Sequence, residues 1–211
     1  MINGLFDIEF RMEDLTRNGD PLVRLNECVD FEVFRLELET IREKERKSPA
    51  GRKPFDVVLM FKVLVLQSLY NLSDYAVEYQ VRDRLSFMRF LGLTIGDRVP
   101  DAKTIWLFRE ELGRAGLVKR LFKRFDRYLR EQGFTARKGC RNRKLTDWEK
   151  RGNRTRSRVR CRIEHVFGIQ AQMAGNLILR TIGKVRAEVK IGLRNLAYNI
   201  HRLGRCMPVT G

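Results

Sequence analysis

Residues 57 to 72, VVLMFKVLVLQSLYNL, are apolar on nearly every side of a helical wheel. A helix with no polar face has to be buried all round, so other helices must be arranged about it. Asp56 stands where its carboxylate can cap the first turn. This segment alone predicts a helical N-terminal domain with residues 57–72 at its centre.

Its neighbours supply the covering helices. Residues 5–45 read as helical, with Leu22, Leu25, Val29, Val33, Leu36 and Ile41 recurring at intervals of three and four. Gly19-Asp20-Pro21 interrupts them, with Asp20 as N-cap and Pro21 at the first helical position. Arg42 to Lys53 holds Pro49, Gly51 and six basic residues and reads as a loop or linker, either solvated or touching phosphate. Ser73 predicts the cap of a helix through Tyr75, Val77 and Tyr79 to Leu85, Phe87, Met88, Phe90 and Leu91, ended by Gly92, with its aromatics assigned to the core.

Asp101 to Leu112 forms a further helix, which Gly116 separates from Leu117 to Gln132. The latter turns Leu121, Phe122, Phe125, Tyr128 and Leu129 inward, sets Lys119, Arg120, Lys123, Arg124 and Arg127 around them, and stops at Gly133. Two helices joined at a glycine corner resemble a helix-turn-helix; an ordinary corner of a helical bundle is the competing reading. On the helix-turn-helix reading, Lys103, Thr104 and Arg109 are candidate DNA contacts.

Charge is distributed unevenly along the 211 residues. Residues 1–134 hold 24 basic and 22 acidic side chains, whereas residues 135–211 hold 19 and 4, so +15 of the net +17 lies in the C-terminal part. An excess of this size points to a polyanionic partner. Its densest block, Arg137 to Arg162, has 12 basic and 2 acidic residues and no apolar periodicity before Arg156. Such a run binds phosphates by counterion release without reading sequence. Its cations Arg137, Lys138, Arg141, Arg143, Lys144, Lys150, Arg151, Arg154, Arg156, Arg158 and Arg162 are the candidate DNA-binding set; a solvated basic loop is the alternative.

Cys28, Cys140, Cys161 and Cys206 form no CxxC pair, and His165 and His201 stand at no zinc-ligand spacing with them, which argues against a metal finger. Isolated cysteines and an acidic N-terminal MINGLFDIEF fit a cytoplasmic protein. The most apolar run, Val57 to Leu66, is broken by Lys62 and falls well short of the roughly 20 residues a membrane span needs, so no membrane is expected as a partner.

Arg154 to Gln172, RTRSRVRCRIEHVFGIQAQ, sets one acid, Glu164, in this basic run. At about 100° per residue Val159, Ile163, Val166 and Phe167 share an apolar stripe, and Ser157, Arg160, Glu164 and Ala171 fall within roughly 60° of one another beside it. Spacing alone also allows a solvated Arg160–Glu164 ion pair, worth roughly 0.3 kcal/mol. Beyond it, Leu177 to Leu179 reads as a short strand. Val189, Leu193, Leu196, Ala197, Ile200 and Leu203 then make an amphipathic helix that must cover the Glu164 helix or the N-terminal bundle.

Three stretches together carry a resemblance to a family: residues 54–93, residues 97–112 (DRVPDAKTIWLFREEL), and RVRCRIEHVFG with LILRTIGKVRAEVKIGLRNLAYNIHRL within residues 158–203. They resemble bacterial insertion-sequence transposases of the DDE type, in the insertion-sequence-five group. The resemblance implies a helical N-terminal domain that recognises element ends and a ribonuclease-H-like domain. In the latter, two aspartates and a glutamate hold two magnesium ions for attack on a phosphodiester. The family's glutamate lies in a pattern of Tyr, two residues, Arg, three residues, Glu, six residues and Lys. Arg160 and Glu164 match it, whereas Ser157 and Ala171 stand in place of the Tyr and the Lys. Glu164 is thereby the implied catalytic and metal-ligating residue, with Arg160 orienting DNA or the carboxylate beside it.

The family's long catalytic stretch, with the sheet and both aspartates, is reduced here to Gly133 to Arg137, and Asp147 is the one aspartate after residue 126. A lone carboxylate cannot build a two-metal site. The fold expected is therefore mainly α: a helical N-terminal domain over 1–134, then over 135–211 a basic, truncated remnant of a ribonuclease-H-like domain lacking most of its sheet. The function expected is that of an internally deleted transposase that binds double-stranded DNA at terminal repeats but has lost cleavage, with magnesium not bound productively. The alternatives are a regulatory fragment that pairs with itself or with intact transposase, a relic with orphaned apolar faces over 159–203, and an unrelated basic protein of ribosomal type.

Overall fold

The computed structural model describes residues 7–42, 53–133, 145–164 and 181–206, with side chains from 156 onward in the third segment, apart from Ser157, outside that description. Ten α-helices follow one another among these residues, with no strand: α1 Asp7–Arg17, α2 Pro21–Cys28, α3 Arg35–Glu39, α4 Val57–Leu69, α5 Asp74–Asp83, α6 Leu85–Leu91, α7 Ala102–Arg114, α8 Leu117–Glu131, α9 Asp147–Glu164 and α10 Lys184–Cys206. A 3-10 turn, Phe31–Phe34, leads into α3. The mainly helical fold class holds.

Helix α4 occupies the centre. Val57, Val58, Met60, Phe61, Val63, Leu64, Val65 and Leu66 are all buried, and the Asp56 carboxylate accepts from the backbone N–H groups of Val58 and Leu59. Lys62, the one cation in α4, donates to Asn26 Oδ1 at 2.8 Å and to the Phe90 carbonyl at 3.1 Å. Its ammonium lies 5.1 and 5.2 Å from the centroids of the Phe31 and Phe90 rings, an arrangement in which the ring quadrupoles replace lost water. Among the described residues no single helix is long and apolar enough to cross a membrane. The pair α4 and α5 passes that test together but bends by 105°, and α4 is the core helix.

Caps form where the sequence puts them. Asp20 accepts from Leu22 N–H, Ser73 Oγ from Ala76 N–H, and Asp101 from Thr104 N–H. Gly92 ends α6 in the left-handed region at φ +73°, where other residues are strained. The expected single helix from Ser73 to Leu91 is instead two, broken at Arg84, whose backbone is extended. The break lets Phe87, Met88, Phe90 and Leu91 of α6 turn inward. It also leaves Tyr75 and Tyr79 on the outer face of α5, 80% and 67% exposed, so these two aromatics are surface rather than core.

Helix α10 packs across α2, α4, α7, α8 and α9. Val189, Leu193, Leu196, Ala197, Ile200 and Leu203 are buried in the same core as α4. The apolar face of this helix is therefore covered, and the expectation of orphaned faces over 159–203 is corrected for α10. The chain on the two sides of residue 134 shares one core. The proposed strand Leu177–Leu179, together with Val166 and Phe167, lies outside the described residues.

Candidate nucleic-acid interface

Helix α9 begins at Asp147, twelve residues before Val159, the first residue of the apolar stripe. Thr146 and Glu149 form a reciprocal capping box: Glu149 Oε2 accepts from Thr146 N–H at 3.0 Å, and Thr146 Oγ1 accepts from Glu149 N–H at 3.3 Å. The basic run is thus helical from Asp147, and the loop expected there is corrected. The four-residue signal Thr-Asp-Trp-Glu was present at 146–149.

Glu149 is buried, while Lys150, Arg151 and Arg154 are exposed. At about 100° per residue these three cations share one side of α9, away from Glu149. Lys150 donates to Asp147 Oδ1 at 2.9 Å, but both side chains are so exposed that the pair contributes little. Steps of four residues continue from Lys150 and Arg154 to Arg158 and Arg162, whose backbones lie in the same helix. Arg156 and Arg160 also lie on α9, whereas Arg137, Lys138, Arg141, Arg143 and Lys144 fall outside the described residues.

Helix α8 offers a second cationic face, which the sequence reading described but did not assign to binding. Leu117, Val118, Leu121, Phe125 and Tyr128 are buried, and Lys119, Arg120, Lys123, Arg127 and Arg130 are exposed on the opposite side. The turn before it uses Gly116 at φ +62°, the glycine corner expected between α7 and α8. At the start of α7, Lys103 is exposed and Thr104 half-buried, the latter's N–H held by Asp101 at 2.6 Å. Thr104 N–H and hydroxyl bonds hold the Asp101 carboxyl below its usual range.

Arg109 is placed otherwise. Its guanidinium, 8% exposed, donates through Nη1 and Nη2 to the two Asp74 carboxylate oxygens at 2.6 and 2.8 Å and through Nη1 to Gln67 Oε1 at 2.9 Å. Gln67 Nε2 completes the triad by donating to Asp74 at 2.6 Å. Burial pushes the Asp74 carboxyl up, but the bonds from Arg109 and Gln67, with the charges of Arg109 and Lys190, hold it below its ordinary value. The expected surface contact at Arg109 is thus an interior clamp between α5 and α7.

Glu164, the implied metal ligand, is the last residue of α9. Asp147 and Glu149 stand at the other end, about 25 Å away along the helix axis. Their carboxylates serve Lys150 and the capping box, so they do not converge on Glu164. Among the described residues no group of three or more His, Cys, Asp or Glu side chains could hold a metal ion. This donor set does not fit a two-ion magnesium centre.

Two family models match the chain. Residues 10–111 match the family described as "Transposase domain (DUF772)". Residues 90–200, more than half of the chain, match "Transposase DDE domain". This chain belongs to the DDE transposase family. The two matches overlap over residues 90–111, from the end of α6 into α7. No solved structure matches the chain.

Proposed function

We propose that this transposase-family chain binds double-stranded DNA of an insertion sequence without cutting it. The observation that carries the reading is the exposed row Lys150, Arg151 and Arg154 on α9, held clear of the core by the buried Glu149. Cations one turn apart repeat every 6 Å or so along the axis, and each neutralised phosphate releases counterions. The exposed face of α8 supplies a further set on the N-terminal side, where the corner with α7 and Lys103 supports end recognition. Loss of strand cleavage rests on the carboxylates: among residues 135–211 they are Asp147, Glu149, Glu164 and Glu188, and the first two are committed far from Glu164.

The test is binding of the purified chain to a duplex carrying the element's terminal repeat, against a scrambled duplex, across a salt series, with and without magnesium. A preference for the repeat that survives as salt rises, without nicking, supports the reading. Magnesium-dependent nicking that requires Glu164 would overturn the loss of cleavage, and equal affinity for both duplexes would overturn end recognition.

A second reading, inhibition of intact transposase, is favoured by the covered apolar face of α10, which gives a folded unit able to occupy DNA. Co-expression with intact transposase should lower transposition; an unchanged frequency rejects it.

A further inference from the structure

The two tyrosines of α5 that lie outside the core stand one turn apart, Tyr75 80% and Tyr79 67% exposed. Among the described residues neither ring packs on another ring or on a cation. At about 100° per residue the two fall within roughly 40° of each other, and Arg82, a turn further on, falls within roughly 60° of both. Together the tyrosines leave on the order of 300 Å² of side chain in solvent, a patch of the size that is often functional on a monomer. Glu78 shares this side of α5, but its carboxylate is engaged twice: Oε1 accepts from Arg82 Nη2 at 3.0 Å and Oε2 from Ala102 N–H at 2.8 Å. The acid is thus offset within the row. The bond to Ala102 also brings the first turn of α7, with the exposed Lys103, beside the tyrosines.

We propose that this face of α5 is a stacking platform for unpaired DNA bases, with Lys103 taking a phosphate of the same strand. A phenol ring offers a flat π face to any base, so such a platform holds a strand without reading its sequence. Two rings one turn apart, about 6 Å along the axis, can take one base each. In an intact duplex each base face is covered by its neighbours, and the platform therefore sorts unpaired from paired DNA. The net charge of +17 attracts the backbone of either form. The identity of the ligand rests on the DNA-binding reading above, but neither the α9 row nor preference for a terminal repeat enters the argument.

Fluorescence anisotropy of the full chain with a labelled oligothymidylate, and with a duplex of the same length at matched salt, tests the face. Tyr75→Ala and Tyr79→Ala should each weaken single-strand binding by about fivefold or more and leave duplex binding as it was. Tyr75→Phe and Tyr79→Phe keep the ring and should bind like the parent. Both positions are exposed, so all four variants should unfold at the parent's midpoint. Unchanged single-strand affinity in the double alanine variant overturns the proposal, and so does an equal loss on both DNAs, which would make the face a backbone contact. A double variant that loses self-association in sedimentation while keeping its strand affinity assigns the face to a protein partner and overturns it too. Failure of end recognition shows separately, as equal affinity of the parent for repeat and scrambled duplexes; a parent that binds neither strand nor duplex overturns both readings.

Discussion

A β-carbon added at Gly192 would stand 2.5 Å from Val118 Cγ1, closer than such atoms pack. Helix α10 can lie against α8 at this separation because the side chain is absent. Gly113 of α7 and Gly204 repeat the device, with added β-carbons 2.9 Å from Val189 Cγ2 and 3.1 Å from Leu25 Cδ1. Glycine inside a helix costs about 1 kcal/mol relative to alanine, so Gly192 in the middle of α10 marks a contact that offsets that cost.

Gly192→Ala should therefore destabilise the chain by about 1–2 kcal/mol, overpacking outweighing the gain in helix propensity. Urea unfolding should show the midpoint falling. Val118→Ala in the same chain should cost less than it does in the parent, because it removes the clashing methyl. Strict additivity of the two changes would mean that the helices do not meet at this pair.

Leu196 of α10 is fully buried in the core around α4. Leu196→Ala should cost about 2–5 kcal/mol, read from chemical unfolding followed by circular dichroism. Tryptophan fluorescence, which samples Trp106 of α7 and Trp148 of α9, should change in the same transition. Separate transitions would show that α10 does not share the core.

Arg109→Met should cost about 3 kcal/mol or more by leaving Asp74 in a half-buried site without its cation. In the parent chain the Asp74 carboxyl lies below 3.8 when folded. Its contribution is then complete above that value and is lost as pH falls through the folded pKa. Asp74→Asn should flatten the acid limb of stability against pH below about 4.

His201 of α10 faces α2 beside Arg24, Glu27 and Arg205. Burial holds its imidazole below the ordinary value of 6.5, and the charges of Arg205 and Arg202 push the same way. A depressed base binds protons more readily in the unfolded chain, so its stability contribution is complete above 6.5 and declines as pH falls towards the folded pKa. Stability measured from pH 7.5 down to 5.5 should drop, and His201→Gln should reduce the drop. An identical profile in the variant would remove His201 as the cause.

Much of the fold was legible because its signals are local. Asp20 with Pro21, Asp56, Ser73 and Asp101 each cap the helix they precede, since a short acceptor side chain reaches its own N–H groups without help from the rest of the chain. Thr146 and Glu149 are of the same kind, although the surrounding cations masked them. Arg84 carried no such signal: no glycine or proline stands there, and the break follows from the burial of Phe87, Phe90 and Leu91. Tyr75 and Tyr79 were unreadable for the related reason that a helical wheel gives relative direction but not which side another helix covers.

For the candidate site, the sequence by itself determined where positive charge concentrates and how few carboxylates accompany it, because both are counts along the chain. It also determined which residues of α10 form an apolar stripe. Only the tertiary structure decided that this stripe meets α2, α4, α7 and α8, and that Arg109 turns inward to Asp74. Those outcomes depend on helices distant in sequence arriving at one place, and a guanidinium is buried or exposed according to whether a carboxylate 35 residues away is there to receive it.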